Sequence, residues 1–388
     1  MRIEITDKKD CCGCAACSNI CPQQCIDMKQ DSEGFSYPVI DTEKCTGCGA
    51  CIRVCPIKDA DKNRNLTAQV ETDAYACINQ DEDMRMKSSS GGMFALFAQK
   101  ILSAKGTVYG AAFTSDASVS HVRIEKERDL WKVLGSKYVQ SNTASIYRQV
   151  KKDLDTGAKV LFSGTPCQCA GLKKYLAKDY KNLYLIDFIC HGVPSPAVWE
   201  EYVRALELRS GFRRDSQNVP SFRDKTKGWI HFMIKIPFQN AAPYHQKFGQ
   251  DLYMRTFLKN ISLRPSCYKC RSKPSTNISD ITLGDFWGIK KCLPEMFDDK
   301  GTSAILIHSP KGKALFQEVA GRTKARQVTY GLIAKHNASL YRSVQMPPMR
   351  NFFFERFRKD NILDLMRKCT RENWIKRCIK ALLSYVQK

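Results

Sequence analysis

The sequence predicts an α+β unit joined to an α/β unit: a small cysteine-rich N-terminal domain, then a mixed-sheet domain, then a helical, basic C-terminal tail. Three observations predict this. Between Cys11 and Pro56 two cysteine runs share one spacing, and from Asp73 short apolar runs rich in β-branched and aromatic residues alternate with helical patterns. Beyond about Tyr330 the chain turns helical and rich in lysine and arginine. The polar stretch Asp59 to Thr72 has no apolar period and places the first boundary, so the expected domains are 1–72, 73–320 and 321–388.

The two runs read CCGCAACSNICP and CTGCGACIRVCP, each carrying CxxCxxCxxxCP. They supply Cys11, Cys14, Cys17 and Cys21, then Cys45, Cys48, Cys51 and Cys55, with Pro22 and Pro56 behind. This is the bacterial two-cluster ferredoxin pattern, in which the fourth cysteine of each run ligates the other cluster. Small residues (Gly13, Ala15, Ala16; Gly47, Gly49, Ala50) let three thiolates converge and leave backbone N–H groups free for the cluster sulfurs. Cluster one is therefore expected on Cys11, Cys14, Cys17 and Cys55, and cluster two on Cys45, Cys48, Cys51 and Cys21. A zinc site or a disulfide framework is the rival, and eight cysteines with both prolines in register argue against it. Cys12 and Cys25 fall outside the register and are expected to be packing thiols. Between the runs, IDMKQDSEGFSYPVID reads as a β-hairpin turning at Asp31 to Gly34.

The 388 residues suffice for two or three domains, and no run of about 18 apolar residues is present to span a membrane. No signal peptide is legible, so the cytoplasm is expected, and 19 cysteines there imply ligands and reduced thiols. The formal charge of +23 counts cysteine as neutral. Three 4Fe-4S clusters, each roughly −2 with its thiolates, would leave about +17. That excess favours an acidic electron carrier, a phosphorylated or otherwise acidic small molecule, or an anionic surface. No nucleic-acid module is legible. In the tail, Trp374, Cys378, Leu382 and Tyr385 share a helical face, which suits docking on the chain itself, a homo-oligomer contact or peripheral membrane contact.

Within the α/β unit the expected strands include TVYGAAF, KVLFSG, LYLIDFIC, WIHFMIKI and SAILIHS, and the expected helices MFALFAQKIL, AGLKKYLAK, AVWEEYVRALEL and GKALFQEVA. Four cysteines stand in Gly- and Pro-rich contexts: Cys167 in SGTPCQCAGL, Cys190 in ICHGVPSP, and Cys267 and Cys270 in RPSCYKC. Cys167 and Cys190 each follow an apolar strand, where an α/β sheet presents its site residues. Four thiols from three segments fit one more 4Fe-4S cluster; a zinc site is a serious rival, and Cys169 can replace Cys167.

The turn Ser88 to Gly92 opens an apolar helix, and its free N–H groups suit an anion such as the pyrophosphate of a dinucleotide cofactor, or serve merely as a cap. GSKYVQS adds Lys137, facing a phosphate, a flavin ring or only solvent. FRDKTKGW and ITLGDFWGI read as loop-to-strand junctions, with Asp285 either a turn former or a holder of a ribose hydroxyl. His191 is a candidate proton donor or a structural histidine.

The ordered set SSSGG, GSKYVQS, SGTPCQCAGL, ICHGVPSP, FRDK, CYKC and SDITLGDFWG behind a two-cluster ferredoxin resembles the coenzyme F-420 hydrogenase/dehydrogenase beta-subunit family, from Cys11 to about Ser309. In that family, archaeal relatives bind FAD and exchange electrons with a deazaflavin, plant and cyanobacterial relatives reduce chlorophyll precursors, and bacterial proteins of this build occur in surface-polysaccharide gene neighbourhoods. The resemblance implies FAD at Ser89, Ser90, Gly91 and Gly92 and at Gly135, Ser136, Lys137 and Tyr138, and a third cluster on Cys167, Cys190, Cys267 and Cys270. The expected activity is that of an iron-sulfur flavoprotein oxidoreductase, fed by a ferredoxin-like partner and delivering a hydride to an organic acceptor, with His191 and Lys137 as proton donors. An electron-transfer subunit with no substrate of its own is the alternative.

Overall fold

The computed structural model describes residues 1–58, 72–273 and 278–371. Strands β1 (Ile26–Gln30) and β2 (Ser36–Ile40) pair antiparallel with Ile26 opposite Ile40, which is the hairpin expected between the cysteine runs. Asp31 closes its turn by accepting from the Glu33 and Phe35 amides, each at 3.0 Å. Gly34 sits at φ +82°, and a Cβ there would lie 2.3 Å from that of Ala197, so the turn is pressed against the helix Pro196–Ser210.

The sequence repeat is a conformational repeat. Gly13 and Gly47 have φ of +71° and +67°; Ala15 and Gly49, at +60° and +71°, head the short helices Ala16–Ile20 and Ala50–Arg53. Left-handed backbone at equal offsets turns each loop back on itself.

The second unit is built on eight strands: β3 (Asp73–Asn79), β4 (Thr107–Phe113), β5 (Val119–Ile124), β6 (Val160–Ser163), β7 (Leu183–Phe188), β11 (Ile281–Asp285), β12 (Ser303–Ile307) and β13 (Thr323–Val328), in the order β13-β3-β12-β11-β7-β6-β4-β5. The central four, β11, β7, β6 and β4, run parallel, and the flanking pairs are antiparallel. Strands β8 (Ser221–Asp224), β9 (Met233–Phe238) and β10 (Ala241–Lys247) form a separate antiparallel sheet.

Both faces of the large sheet are covered, which is why its strands read as continuous apolar runs. Val160, Phe162, Leu183 and Leu185 face the helices Ile146–Asp155 and Pro166–Leu176 and the cysteine-rich unit. Leu161, Ile186, Ile281 and Ile305 face the helices Met93–Ser103 and Pro310–Glu318. Ferredoxin unit and sheet thus share one apolar core.

The sheet runs past residue 320, where the boundary was expected, because β13 pairs along β3 from Thr323↔Asn79 to Val328↔Ala74. Lys324 to Gln327 are all exposed, so the strand carries no apolar alternation to betray it. The tail is docked as far as it is described. Phe353, Leu365 and Met366, on the helices Met349–Arg356 and Ile362–Thr370, and Phe357, which caps the first of them, join Trp199, Tyr202 and Tyr253 in one core. Buried Arg350 forks onto Glu33 of the hairpin turn at 3.0 and 2.6 Å, tying tail to ferredoxin unit. Trp374, Cys378, Leu382 and Tyr385 lie outside the described residues. Among the described residues no helix is long and apolar enough to cross a membrane.

Candidate functional site

Cys11, Cys14, Cys17 and Cys55 line one cavity whose remaining wall includes Ile3, Ile5, Met28, Pro38 and Ile57. Three thiols of the first run and the fourth of the second are therefore brought to one cavity, which Cys12 and Asp10 also line. In the other half, the Ile3 amide donates to Cys51 Sγ at 3.2 Å, while Cys48 is exposed. Cys21 Sγ lies 3.4 Å from Cys25 Sγ, and Cys25 also reaches Cys45, so Cys25 packs against this group of thiols.

The first loop is clamped onto the sheet domain. Gln140 Nε2 donates to the Cys12 carbonyl at 3.0 Å, Thr143 Oγ1 to that of Cys14 at 3.0 Å, and Arg264 Nε to that of Cys11 at 2.7 Å. Gly171 admits the loop: a Cβ there would stand 2.8 Å from Cys14 Sγ.

At the C-terminal ends of β6 and β7 stand Cys167 and Cys190, joined by Cys267 and Cys270 from the loop after Leu263. The Cys190 thiol lies within electrostatic range of those of Cys267, Cys167 and Cys270. Thr165 Oγ1 is 3.1 Å from Cys167 Sγ, and the Val193 amide donates to Cys267 Sγ at 3.5 Å. Cys169 is fully buried with its sulfur toward the Gly164 and Ile186 carbonyls, away from this group. Cys12 lies between the two thiol groups, its thiol beside those of Cys14 and Cys167. Among the described residues no three Cys, His, Asp or Glu side chains close on one point as a single metal ion requires. Around a cubane each thiol meets its own iron and the four stand further apart.

The Ser88–Gly92 turn sits on the same edge of the sheet, since Asp285, the last residue of β11, pairs with Ser303 and Ser303 with Cys77. Gly91 is forced by packing, a Cβ there falling 2.3 Å from the Cys77 carbonyl. Gly92, at φ +83°, heads the helix Met93–Ser103, which has no side-chain cap, so its first amides stay available to an anion. Ser136 donates to Ser89 Oγ through its amide (2.6 Å) and hydroxyl (2.8 Å), which brings the second motif against the first. Gly135, at φ +77°, has no neighbour within 4 Å of a would-be Cβ.

Beneath the turn lie two buried cations from FRDK, a stretch that shows in the sequence only as part of a junction. Arg223 donates to the Ser89 carbonyl (3.1 Å), the Tyr138 hydroxyl (3.3 Å) and both oxygens of Asp285 (2.9 and 3.1 Å), while its Nε has no acceptor. Lys225 Nζ donates to the carbonyls of Arg85, Ser90 and Lys300. Arg85, also unforeseen, forks onto Asp298 at 2.7 and 2.6 Å. Asp285 differs from its ribose-binding expectation: Arg223 and Trp229 Nε1 (2.9 Å) occupy its carboxylate.

The two expected proton donors stand apart. Both ring nitrogens of His191 have protein partners, Asn260 Oδ1 at 2.6 Å and Ser339 Oγ at 3.4 Å. The Phe257 ring lies between His191 and Tyr138. His191 is thus held as a structural residue rather than presented at the turn. Lys137 is half-buried and donates to the Leu134 carbonyl at 2.6 Å; burial pushes its ammonium down from 10.5 to about 7. An unfolded lysine keeps its proton to about pH 10.5, whereas the folded one sheds it above about 7. Folding therefore releases this proton between those values, and stability rises with pH across that window. The wild-type stability slope between about pH 7 and 9 is expected to exceed that of Lys137→Met; equal slopes in denaturant titrations would remove the shift.

These features define a class: a 4Fe-4S dicluster ferredoxin unit fused to an α/β domain with a second set of cysteines at its mouth. Residues 10–58 match a family described as a 4Fe-4S dicluster domain, and a second description of the same name matches residues 37–82. Residues 157–329 match the family described as the C terminus of the coenzyme F420 hydrogenase/dehydrogenase beta subunit. The protein is an iron-sulfur electron-transfer protein related to the F420 hydrogenase beta subunit. Among solved structures, a chain of the xenon-derivatised F420-reducing NiFe hydrogenase complex from Methanosarcina barkeri is 14% identical, with a TM-score of 0.44 over 76% of this chain and 89% of that one. No curated protein matches the chain.

Proposed function

We propose that the chain is a cytoplasmic iron-sulfur flavoprotein oxidoreductase, exchanging electrons with a ferredoxin-like protein at one end and an acidic or phosphorylated small molecule at the other. Cluster one is assigned to Cys11, Cys14, Cys17 and Cys55, cluster two to Cys45, Cys48, Cys51 and Cys21, and a third to Cys167, Cys190, Cys267 and Cys270. The observation that carries the reading is the arrangement of the groups: the cluster-one loop is clamped onto the sheet domain through Gln140, Thr143 and Arg264, and the four-cysteine mouth and the Ser/Gly turn share one edge of the sheet. The exposed thiol of Cys48 suits cluster two as the end that meets a protein partner. The net charge of +23 suits anionic acceptors, among them the sugar phosphates of surface-polysaccharide assembly or a deazaflavin coenzyme.

The turn fits FAD on its uncapped helix start, its close-packed glycine and the orphaned Arg223 Nε. Bound there, a flavin supplies the conversion between single-electron and two-electron chemistry. The chain's own part is to hold a pyrophosphate on the amides after Gly92, to fix the turn from below through Arg223 and Lys225, and to offer a proton from Lys137. Anaerobic purification with iron, sulfide and flavin quantification tests the assignment. About 12 iron atoms and one FAD per chain are expected. Iron near 8 removes the third cluster, and absence of FAD removes the flavin reading. Turnover of a small acceptor without a protein partner separates an oxidoreductase from an electron-transfer subunit.

A further inference from the structure

Arg264 is fully buried, and among the described residues no carboxylate pairs with it. By contrast the other buried arginines, Arg85, Arg223 and Arg350, each fork onto an aspartate or glutamate. The guanidinium of Arg264 donates to the carbonyls of Cys11 (2.7 Å) and Ser36 (2.9 Å), to Gln140 Oε1 (3.0 Å) and to Cys11 Sγ (3.5 Å). It lies over the Tyr37 ring, 4.3 Å from its centroid. Its Nη1 is 2.7 Å from where a Gly13 Cβ would stand, so the loop lacks a side chain there to admit it. The backbone of Arg264 starts the loop of the second thiol group, its carbonyl accepting from the Cys267 amide at 2.9 Å.

A charge buried without a counter-charge is strongly unfavourable, so something negative must answer it. The ionisable acidic groups around it are Cys11, Tyr37, Cys12 and Cys267. Of these, Cys11 belongs to the cluster-one set and Cys267 to the four-cysteine mouth. A 4Fe-4S cluster with its thiolates carries the missing negative charge and gains more on reduction.

We infer that Arg264 is a positioning residue between cluster one and the third cluster, whose fixed charge favours the electron on both and so holds their potentials up together. The inference rests on the cluster assignment proposed above. The charge is buried, so solvent screens it little. Among the described residues none of the cluster-two ligands Cys21, Cys45, Cys48 and Cys51 bonds to Arg264, so cluster two is expected to feel its charge least.

The test is an EPR-monitored redox titration of the full chain, purified anaerobically with its clusters. Arg264→Gln keeps donors and removes the charge. Its cluster-one and third-cluster equilibria are expected to shift tenfold to a hundredfold toward the oxidised form, about 60–120 mV at 59 mV per decade for one electron. Cluster two is expected to stay put. Arg264→Lys, which keeps the charge, is expected to stay within about threefold of wild type. Unmoved potentials in Arg264→Gln with iron intact would make Arg264 merely structural, and an equal shift of cluster two would overturn the placement. If Arg264→Gln loses iron, Arg264→Lys decides: a shift of tenfold or more with the charge retained overturns the proposal. A wild-type chain holding only about 8 iron atoms refutes the third cluster. The cluster-one shift still judges Arg264 in that case.

Discussion

An Asp285→Ala chain is expected to unfold about 3–5 kcal/mol more readily than wild type, because the change strands a buried guanidinium. Arg223 has almost no exposed surface, and Asp285 supplies its only carboxylate partner among the described residues. The same oxygen that takes Arg223 Nη2 at 3.1 Å also takes Trp229 Nε1 at 2.9 Å, so alanine orphans two donors. Neither can turn to water. The indole of Trp229 is stacked on Trp287 with centroids 5.0 Å apart, and Arg223 is held over Phe232 at 4.1 Å. Asp285→Asn keeps an acceptor for the indole and loses the charge, and is expected to fall between the two. The double change Asp285→Leu with Arg223→Met removes charge and partner together and is expected to recover much of the loss. Anaerobic urea titration reads all three. A loss under about 1 kcal/mol for Asp285→Ala would show that the pair is not what holds the turn. Because Arg223 also ties the Ser89 carbonyl, the same variant is expected to retain less FAD on gel filtration.

The residues legible in the sequence are those whose chemistry is written in local spacing. Cys11, Cys14 and Cys17 declare themselves because three thiols can only meet across loops of that length, and Gly13 and Gly47 because the loop must turn left-handed. Strands β4, β6, β7 and β12 declare themselves because burial on both faces leaves no room for polar alternation. Strand β13 does not, since its middle residues are exposed and its only support is β3, some 250 positions earlier. Buried cations are illegible for a different reason. Lysine and arginine are exposed by default, and nothing within a few residues of Arg223, Lys225 or Arg264 names the distant carboxylate, carbonyl or thiol that brings each inside. A signal was present all the same: Arg223 and Lys225 stand in FRDK, and Arg264 heads RPSCYKC. The ion pair of Asp285 was hidden on the same ground, because its partner Arg223 is 62 positions away.

Between Cys167 and Cys169, both open in the sequence, helix geometry favours Cys167 for the proposed third cluster, and this gives the largest functional effect expected. Both lie on the helix Pro166–Leu176, where two residues of separation turn a side chain by about 200°. The two thiols cannot share a face. Cys167 points to Thr165 Oγ1 and Cys12, on the side of Cys190 and Cys267; Cys169 points to the Gly164 and Ile186 carbonyls in the apolar core. Cys167→Ala is therefore expected to lower iron from about 12 to about 8 atoms per chain, keep the EPR signals of the ferredoxin unit, and reduce electron passage to any acceptor to background. Cys169→Ala is expected to keep all its iron and cost about 1 kcal/mol for the cavity it leaves. Cys12→Ala is the third arm, because the Cys12 thiol lies beside both Cys14 and Cys167. Intact iron there keeps it a packing thiol; loss of about 4 iron atoms would make it a ligand in place of Cys167. A Cys167→Ala chain that loses zinc while its iron stays near 8 would instead turn the mouth of the sheet into a zinc site, leaving the ferredoxin unit to hold the chain's iron-sulfur clusters.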